Sequence, residues 1–180
     1  MGNNIFMKKL FLILTLLLVF ASPIFAYELP RWQFFPVKVY IQDNPKAYLV
    51  REAFNEWEAR TNIAKFFYVE TERKIPKIIV TFVENNEYGI ENENGKAVGV
   101  TYSFTPRGFY ATARIKIYEN YPGTNIKMSN QDFYFTALHE IGHALGLNHS
   151  ENKKDIMYKS LTGLKHLSQG DIDQFMKIYK

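Results

Sequence analysis

The sequence predicts an α+β domain on three observations. Short β-branched segments fill the first two thirds of the chain. A single helical pattern interrupts them early. Two further helical patterns, each opened by capping residues, close the chain.

The first strand is VKVYI, 37 to 41, alternating and β-branched. Asn44 followed by Pro45 then reads as a helix start. Leu49, Val50, Ala53, Phe54 and Trp57 share one face of a helix of roughly four turns, with Arg51, Glu52, Glu56 and Glu58 turned outward. FFYV at 66 to 69 and IIVTFV at 78 to 83 are further strands, the second apolar enough to lie centrally in a sheet. ENNEYGIENENG, 84 to 95, is a loop by composition. VGVTYSF (98 to 104) and ATARIKIY (111 to 118) are strands joined through TPRGFY, whose Pro106 and Gly108 permit a hairpin-like connection. Ser129 with Asp132 three residues on opens a buried helix whose apolar positions 133, 134, 137, 138, 141, 144 and 145 carry it to about Leu145, and Gly146 is placed to end it. Ser168 and Asp171 repeat the capping pattern before Ile172, Phe175, Met176 and Tyr179, the apolar face of the last helix.

Composition narrows the function classes. Lys8 and Lys9 precede an apolar run from Leu10 to Phe20, then Pro23 and Ala26, which reads as a signal peptide over 1 to 26 with cleavage after Ala26. The run is short for a membrane span, so a membrane association is expected only if the segment stays uncleaved. The remainder, 27 to 180, is read as one domain with no propeptide, secreted or held in the cell envelope. Removing the leader leaves 20 basic residues against 18 acidic ones. The apparent basicity is thus mostly targeting signal, and no cluster remains to neutralise a row of phosphates, which argues against nucleic acid as a partner. There is no cysteine, which removes thiol nucleophiles, thiolate metal sites and disulfides together. A monomer is expected.

Three of the four histidines fall within HEIGHALGLNHS, 139 to 150. On a helix, His139 and His143 lie about 40° apart and one turn separated, so both imidazoles can reach one point, while Glu140 lies about 60° from His143 on the same side. Gly146 can supply the left-handed residue that turns the backbone and returns His149 to that point. Gly142, inside the helix, costs about 1 kcal/mol against alanine, which suggests close approach by another segment. Three neutral imidazoles with an open fourth position make a catalytic rather than a structural zinc site. Such a zinc lowers the pKa of its water to roughly 7, and Glu140 beside it can act as general base.

The pattern HExxHxxGxxH at 139 to 149 resembles the zinc signature of the metzincin metalloproteases. Asp155-Ile156-Met157-Tyr158 is similar to their methionine turn, with Met157 as the floor residue. Ser150 after the third histidine, LSQGDIDQFMKIY at the end and RWQFFPVKVYI at the start resemble the matrixin branch. The resemblance implies a five-stranded twisted mixed sheet, three main helices, a small C-terminal subdomain and a cleft between them that takes protein or peptide substrate in extended form. It implies His139, His143 and His149 as zinc ligands and Glu140 as general base of an endopeptidase. Three departures accompany it. Latency through a propeptide cysteine is not expected, the extra histidines of a second zinc site are missing, and Gly170 stands where the family has the first of two acids, Asp171 remaining.

Other residues carry two readings each. Gly99, Val100 and Thr101 lie on a strand that the resemblance makes the sheet edge above the cleft, where a peptide would add by backbone pairing, or on a plain internal strand. Tyr158 either lines the pocket or packs, and 158 to 166 are expected to wall the main subsite. The loop 84 to 95, with four Glu and four Asn, is either solvated or a Ca2+ site. His166 reads as an ordinary polar residue. For the whole chain the alternative to the peptidase is a non-catalytic zinc-containing module that binds peptides in the same cleft.

Overall fold

A computed structural model describes residues 30–84, 91–92, 95–160 and 166–180, with backbone alone at 91, 92, 95 and 96. The leader 1–26, most of the acidic loop 84–95 and residues 161–165 of the expected pocket wall lie outside the described residues.

The elements run β1 (Val37–Ile41), α1 (Ala47–Thr61), β2 (Phe66–Val69), β3 (Ile78–Val83), the two-residue strands β4 (Glu91–Asn92) and β5 (Gly95–Lys96), β6 (Gly99–Phe104), β7 (Thr112–Tyr118), α2 (Asn130–Ala144) and α3 (Gln169–Tyr179). Five strands form one sheet in the order β2-β1-β3-β7-β6. All neighbours are parallel except β6, which runs antiparallel to β7 with Gly99 opposite Ile117 and Phe104 opposite Thr112. The sheet is thus the mixed, five-stranded one that the resemblance implies, and three helices accompany it. As its composition predicts, β3 sits centrally, between β1 and β7. Among the described strands β6 lies at the edge of the sheet, so it is not an internal strand.

Alternation explains which face is covered. Val37, Val39 and Ile41 of β1, Ile78 and Val80 of β3, and Ala113, Ile115 and Ile117 of β7 all point into one core with Phe54 and Trp57 of α1 and Phe133, Leu138 and Ile141 of α2. The indole of the fully buried Trp57 satisfies its N–H on Leu138 O at 3.0 Å, which fixes α1 against α2.

The start of α1 differs from the sequence expectation. The helix begins at Ala47, not at Pro45, and Lys46 at the cap position makes no side-chain cap. Asn44 instead accepts from Lys46 N–H with its own side chain at 2.8 Å, an Asx turn, and donates its amide to Glu119 at 2.7 Å. The same residue type that caps helices here makes the turn before one, because a partner on the β7 side holds its amide. Among the described residues no helix is long and apolar enough to cross a membrane.

Candidate metal centre and cleft

The helix α2 opens as expected, with Ser129 accepting from Asp132 N–H. It ends at Ala144, and Gly146 follows at φ +99°, in the region that favours glycine. A Cβ at Gly146 would also stand 2.5 Å from Pro30 O. The last carbonyls of the helix do not face water alone. Trp32 Nε1 donates to Ala144 O at 2.8 Å and the Tyr179 hydroxyl donates to Leu145 O at 2.9 Å. The N-terminal segment and α3 therefore both hold the point where the chain turns back. Neither tether is legible in the sequence, since an indole and a phenol over a hundred residues apart have no local pattern.

The turn returns His149 to the helix. His143 Nε2 lies 3.0 Å from His139 Nε2 and 3.2 Å from His149 Nε2. Tautomers follow from the other ring nitrogens. His139 Nδ1 faces Ile156 O at 2.7 Å and His143 Nδ1 faces Leu147 O at 2.9 Å. A carbonyl only accepts, so each Nδ1 carries the proton and each Nε2 presents a lone pair. Lone pairs 3.0 Å apart repel unless a cation lies between them. Tetrahedral zinc with Zn–N near 2.0–2.1 Å holds its nitrogens roughly 3.3 Å apart, close to both distances from His143, and all three ligand atoms lie within 4.8 Å of one another. Burial holds His139 down at about 4 and His143 at about 3, and it lowers His149 as well, with Lys159 adding to the effect. All three are therefore neutral, ligand-competent imidazoles at neutral pH.

Glu140 is buried, at 5 % exposure, beside this cluster. Burial pushes its carboxyl up to about 7, and the hydrogen bond from Thr101 opposes that rise. Thr101 Oγ1 donates to Glu140 Oε2 at 2.6 Å and lies 3.0 Å from Glu140 O, so the edge strand grips the helix at this one residue. Gly99 has a packing reason: a Cβ there would stand 2.8 Å from Glu140 Cγ. Gly99, Val100, Thr101, Tyr158, the three histidines and Glu140 all line one cleft of about 450 Å³. Neither sequence reading of Thr101, substrate edge or internal strand, includes its contact with Glu140, which joins a strand to a helix 39 residues on and has no local signal.

The floor explains Gly142. A Cβ on it would meet Met157 Sδ at 2.3 Å and Trp57 Cζ2 at 3.2 Å, so the close approach that the helix glycine suggests is made by the methionine loop and α1. Met157 is fully buried against Gly142. Its loop is held by Asp171, whose carboxylate accepts from Ile156 N at 2.9 Å, Met157 N at 3.0 Å and Ser168 N at 2.8 Å. Because Ile156 O is the acceptor for His139, one buried acid of α3 sets the orientation of an imidazole in α2. His166 is exposed, with Nδ1 3.4 Å from Glu56, and stands apart from the cluster.

Comparison with known proteins gives the same frame. Residues 29–180 match the family model described as Matrixin. The chain belongs to the matrixin family. Its relatives include the soybean (Glycine max) Metalloendoproteinase 1, 29 % identical over 168 residues, covering 86 % of this chain and 54 % of that protein. Interstitial collagenase of Equus caballus is 27 % identical over 159 residues, 83 % of this chain and 33 % of its own length. Macrophage metalloelastase of Rattus norvegicus is 30 % identical over 145 residues, 73 % of this chain and 28 % of its own. The chain thus spans between about a quarter and a half of these relatives. Matrixins are zinc metalloendopeptidases, and the trio in this matrixin can hold the metal the family uses.

Proposed function

We propose that this matrixin is an exported zinc endopeptidase in which His139, His143 and His149 hold one catalytic zinc and Glu140 is the general base. The observation that carries the reading is the convergence of three imidazole nitrogens, within 4.8 Å of one another, next to a buried carboxylate. When bound, zinc supplies Lewis acidity toward a peptide carbonyl and acidifies water. The residues do the rest. Ile156 O and Leu147 O fix the imidazole tautomers. Thr101 holds one oxygen of Glu140, leaving the other free to take a proton and deliver it to the departing amine. An extended substrate pairs with the free edge of β6 along Gly99, Val100 and Thr101, and Tyr158 borders the subsite beyond the cleaved bond.

The leader 1–26 supports export, and the relatives named metalloendoproteinase and collagenase support proteolysis of protein substrates. The test pairs zinc content with cleavage of an unbiased peptide library, using wild type, Glu140→Ala and a chelator control. Zinc near one per chain with cleavage that both controls abolish is the expected outcome. Zinc bound without any cleavage would replace this reading with that of a peptide-binding module.

A further inference from the structure

His149 is the least supported of the three imidazoles. It is exposed and sits on the loop past α2, and among the described residues nothing accepts from its Nδ1, in contrast to His139 and His143. Among the described residues its ring touches only the other two imidazoles, so its placement depends on how the backbone of 149 and 150 is held. Ser150 is where that backbone is fastened. Ser150 N donates to Met157 O at 2.7 Å, and Ser150 Oγ donates to Asp155 Oδ2 at 2.5 Å while accepting from Asn152 N at 3.1 Å.

Asp155 is buried, at 5 % exposure, and neutral hydroxyl and amide groups surround its oxygens. Besides Ser150 it accepts from Asn152 Nδ2 at 3.1 Å and from Ser168 Oγ at 2.7 Å. Ser168 is the N-cap of α3 and its hydroxyl accepts in turn from Asp171 N at 3.1 Å. The Asp155 carboxylate thus ties the loop that carries His149 to the first turn of α3. Burying a carboxylate is costly unless its oxygens are filled, and here those donors fill them, so removing it takes the shared partner from the half-buried Ser150 and Ser168 hydroxyls and from Asn152.

Gly170 explains how the carboxylate fits. Its φ is not positive, it is exposed, and it lies in the first turn of α3, where any residue could stand. What a side chain there would meet is Asp155 itself: a Cβ would stand 2.7 Å from Oδ2, 2.8 Å from Oδ1 and 3.0 Å from Cγ. Gly170 and Asp155 are therefore one device, a missing side chain on the helix and a carboxylate supplied from the loop into the same space.

We propose that Asp155 is a positioning residue for the metal centre, acting through Ser150 to orient His149, and that Gly170 is glycine because it leaves room for that carboxylate. This rests on the reading of His149 as a zinc ligand. The test compares the full chain with Asp155→Ala, Ser150→Ala and Gly170→Ala by zinc affinity in competition with a chromophoric chelator, by the visible spectrum of the cobalt-substituted protein, and by melting without metal. Loss of a partner one step removed from a metal ligand weakens binding about 10–100-fold, and a drop in that range with an altered cobalt spectrum is expected for Asp155→Ala and Ser150→Ala.

Gly170→Ala is the variant that separates positioning from folding. Alanine gains helix propensity at this exposed position but crowds the buried Asp155 carboxylate, so its two effects on metal-free melting oppose each other, while zinc affinity and the cobalt spectrum read the displaced carboxylate directly. Wild-type affinity and an unchanged cobalt spectrum in Gly170→Ala and Ser150→Ala would overturn the proposal, whether or not Asp155→Ala folds. A wild-type chain that binds no zinc would overturn the ligand reading and this one with it. Zinc bound by wild type but equally by the variants overturns this one alone.

Discussion

Replacing Gly142 by alanine sets two effects of opposite sign against each other. Alanine in a helix interior is favoured over glycine by about 1 kcal/mol. Against this, the new methyl would lie 2.3 Å from Met157 Sδ, more than an ångström inside an ordinary contact of about 3.5–4.0 Å. Trp57 Cζ2 at 3.2 Å blocks movement on the other side. Met157 cannot yield as a unit, because its N–H is held by Asp171 and its carbonyl by Ser150 N–H. Overpacking of this kind costs about 1–3 kcal/mol, and the depth of the overlap with a pinned backbone puts it at the upper end. The net is a destabilisation of about 1–2 kcal/mol, or a fall in Tm of roughly 2–8 °C for a chain of this size. Thermal unfolding with and without zinc, beside kcat/KM on a cleavable peptide, is the assay. Because the Met157 segment also holds His139 through Ile156 O and Ser150 through Met157 O, activity should fall further than stability alone accounts for. A raised Tm with unchanged kcat/KM would refute the argument, since it would mean that helix propensity decides and the floor is soft.

Other outcomes follow from the same residues. Each of His139→Ala, His143→Ala and His149→Ala should lose stoichiometric zinc as read by metal analysis, since two imidazoles do not complete the site. Thr101→Val should lower kcat/KM by about 10–100-fold, the worth of a hydrogen bond to a charged group, while Thr101→Ser keeps most of it; equal activity in both would mean that Thr101 does not hold the base. The stability of the zinc-free protein should rise with pH between about 4.5 and 6.5. In that window the unfolded chain protonates His139 and His143, whose folded values are lowered to about 4 and about 3, while the folded chain alone protonates Glu140, raised to about 7. The net from these three is one more proton on the unfolded state, hence about 1.4 kcal/mol per pH unit, and His149, also lowered, adds to it. Glu140→Gln removes the opposing proton and should steepen that slope by about 1.4 kcal/mol per pH unit in chemical denaturation; a slope that stays the same would show that Glu140 is not neutral in the fold. Glu140→Ala should cut kcat by about 10²–10⁴-fold with zinc retained, the range for a general base.

Much of the architecture is legible in the sequence because its signals are local. Strand alternation at 37–41 and 78–83, the caps Ser129 and Ser168, and the glycine that ends α2 each depend on neighbours within a few residues. The start of α1 falls two residues later than Asn44-Pro45 implies because Asn44 finds a distant partner in Glu119, which no local pattern reveals. A glycine inside a helix marks Gly142 as a point of close approach, but the sequence does not say what approaches it.

By itself, then, the sequence determined the fold class, the helix that carries two of the histidines, and the turn that returns the third, since residues four apart on a helix meet whatever surrounds them. Only the tertiary structure decided that β6 is an edge, that Thr101 holds Glu140, and that Trp32 and Tyr179 tether the end of α2. It alone also showed Asp155 and Gly170 sharing one space. These are contacts between segments brought together by burial of a common core, and their chemistry is specified by geometry that no spacing along the chain encodes.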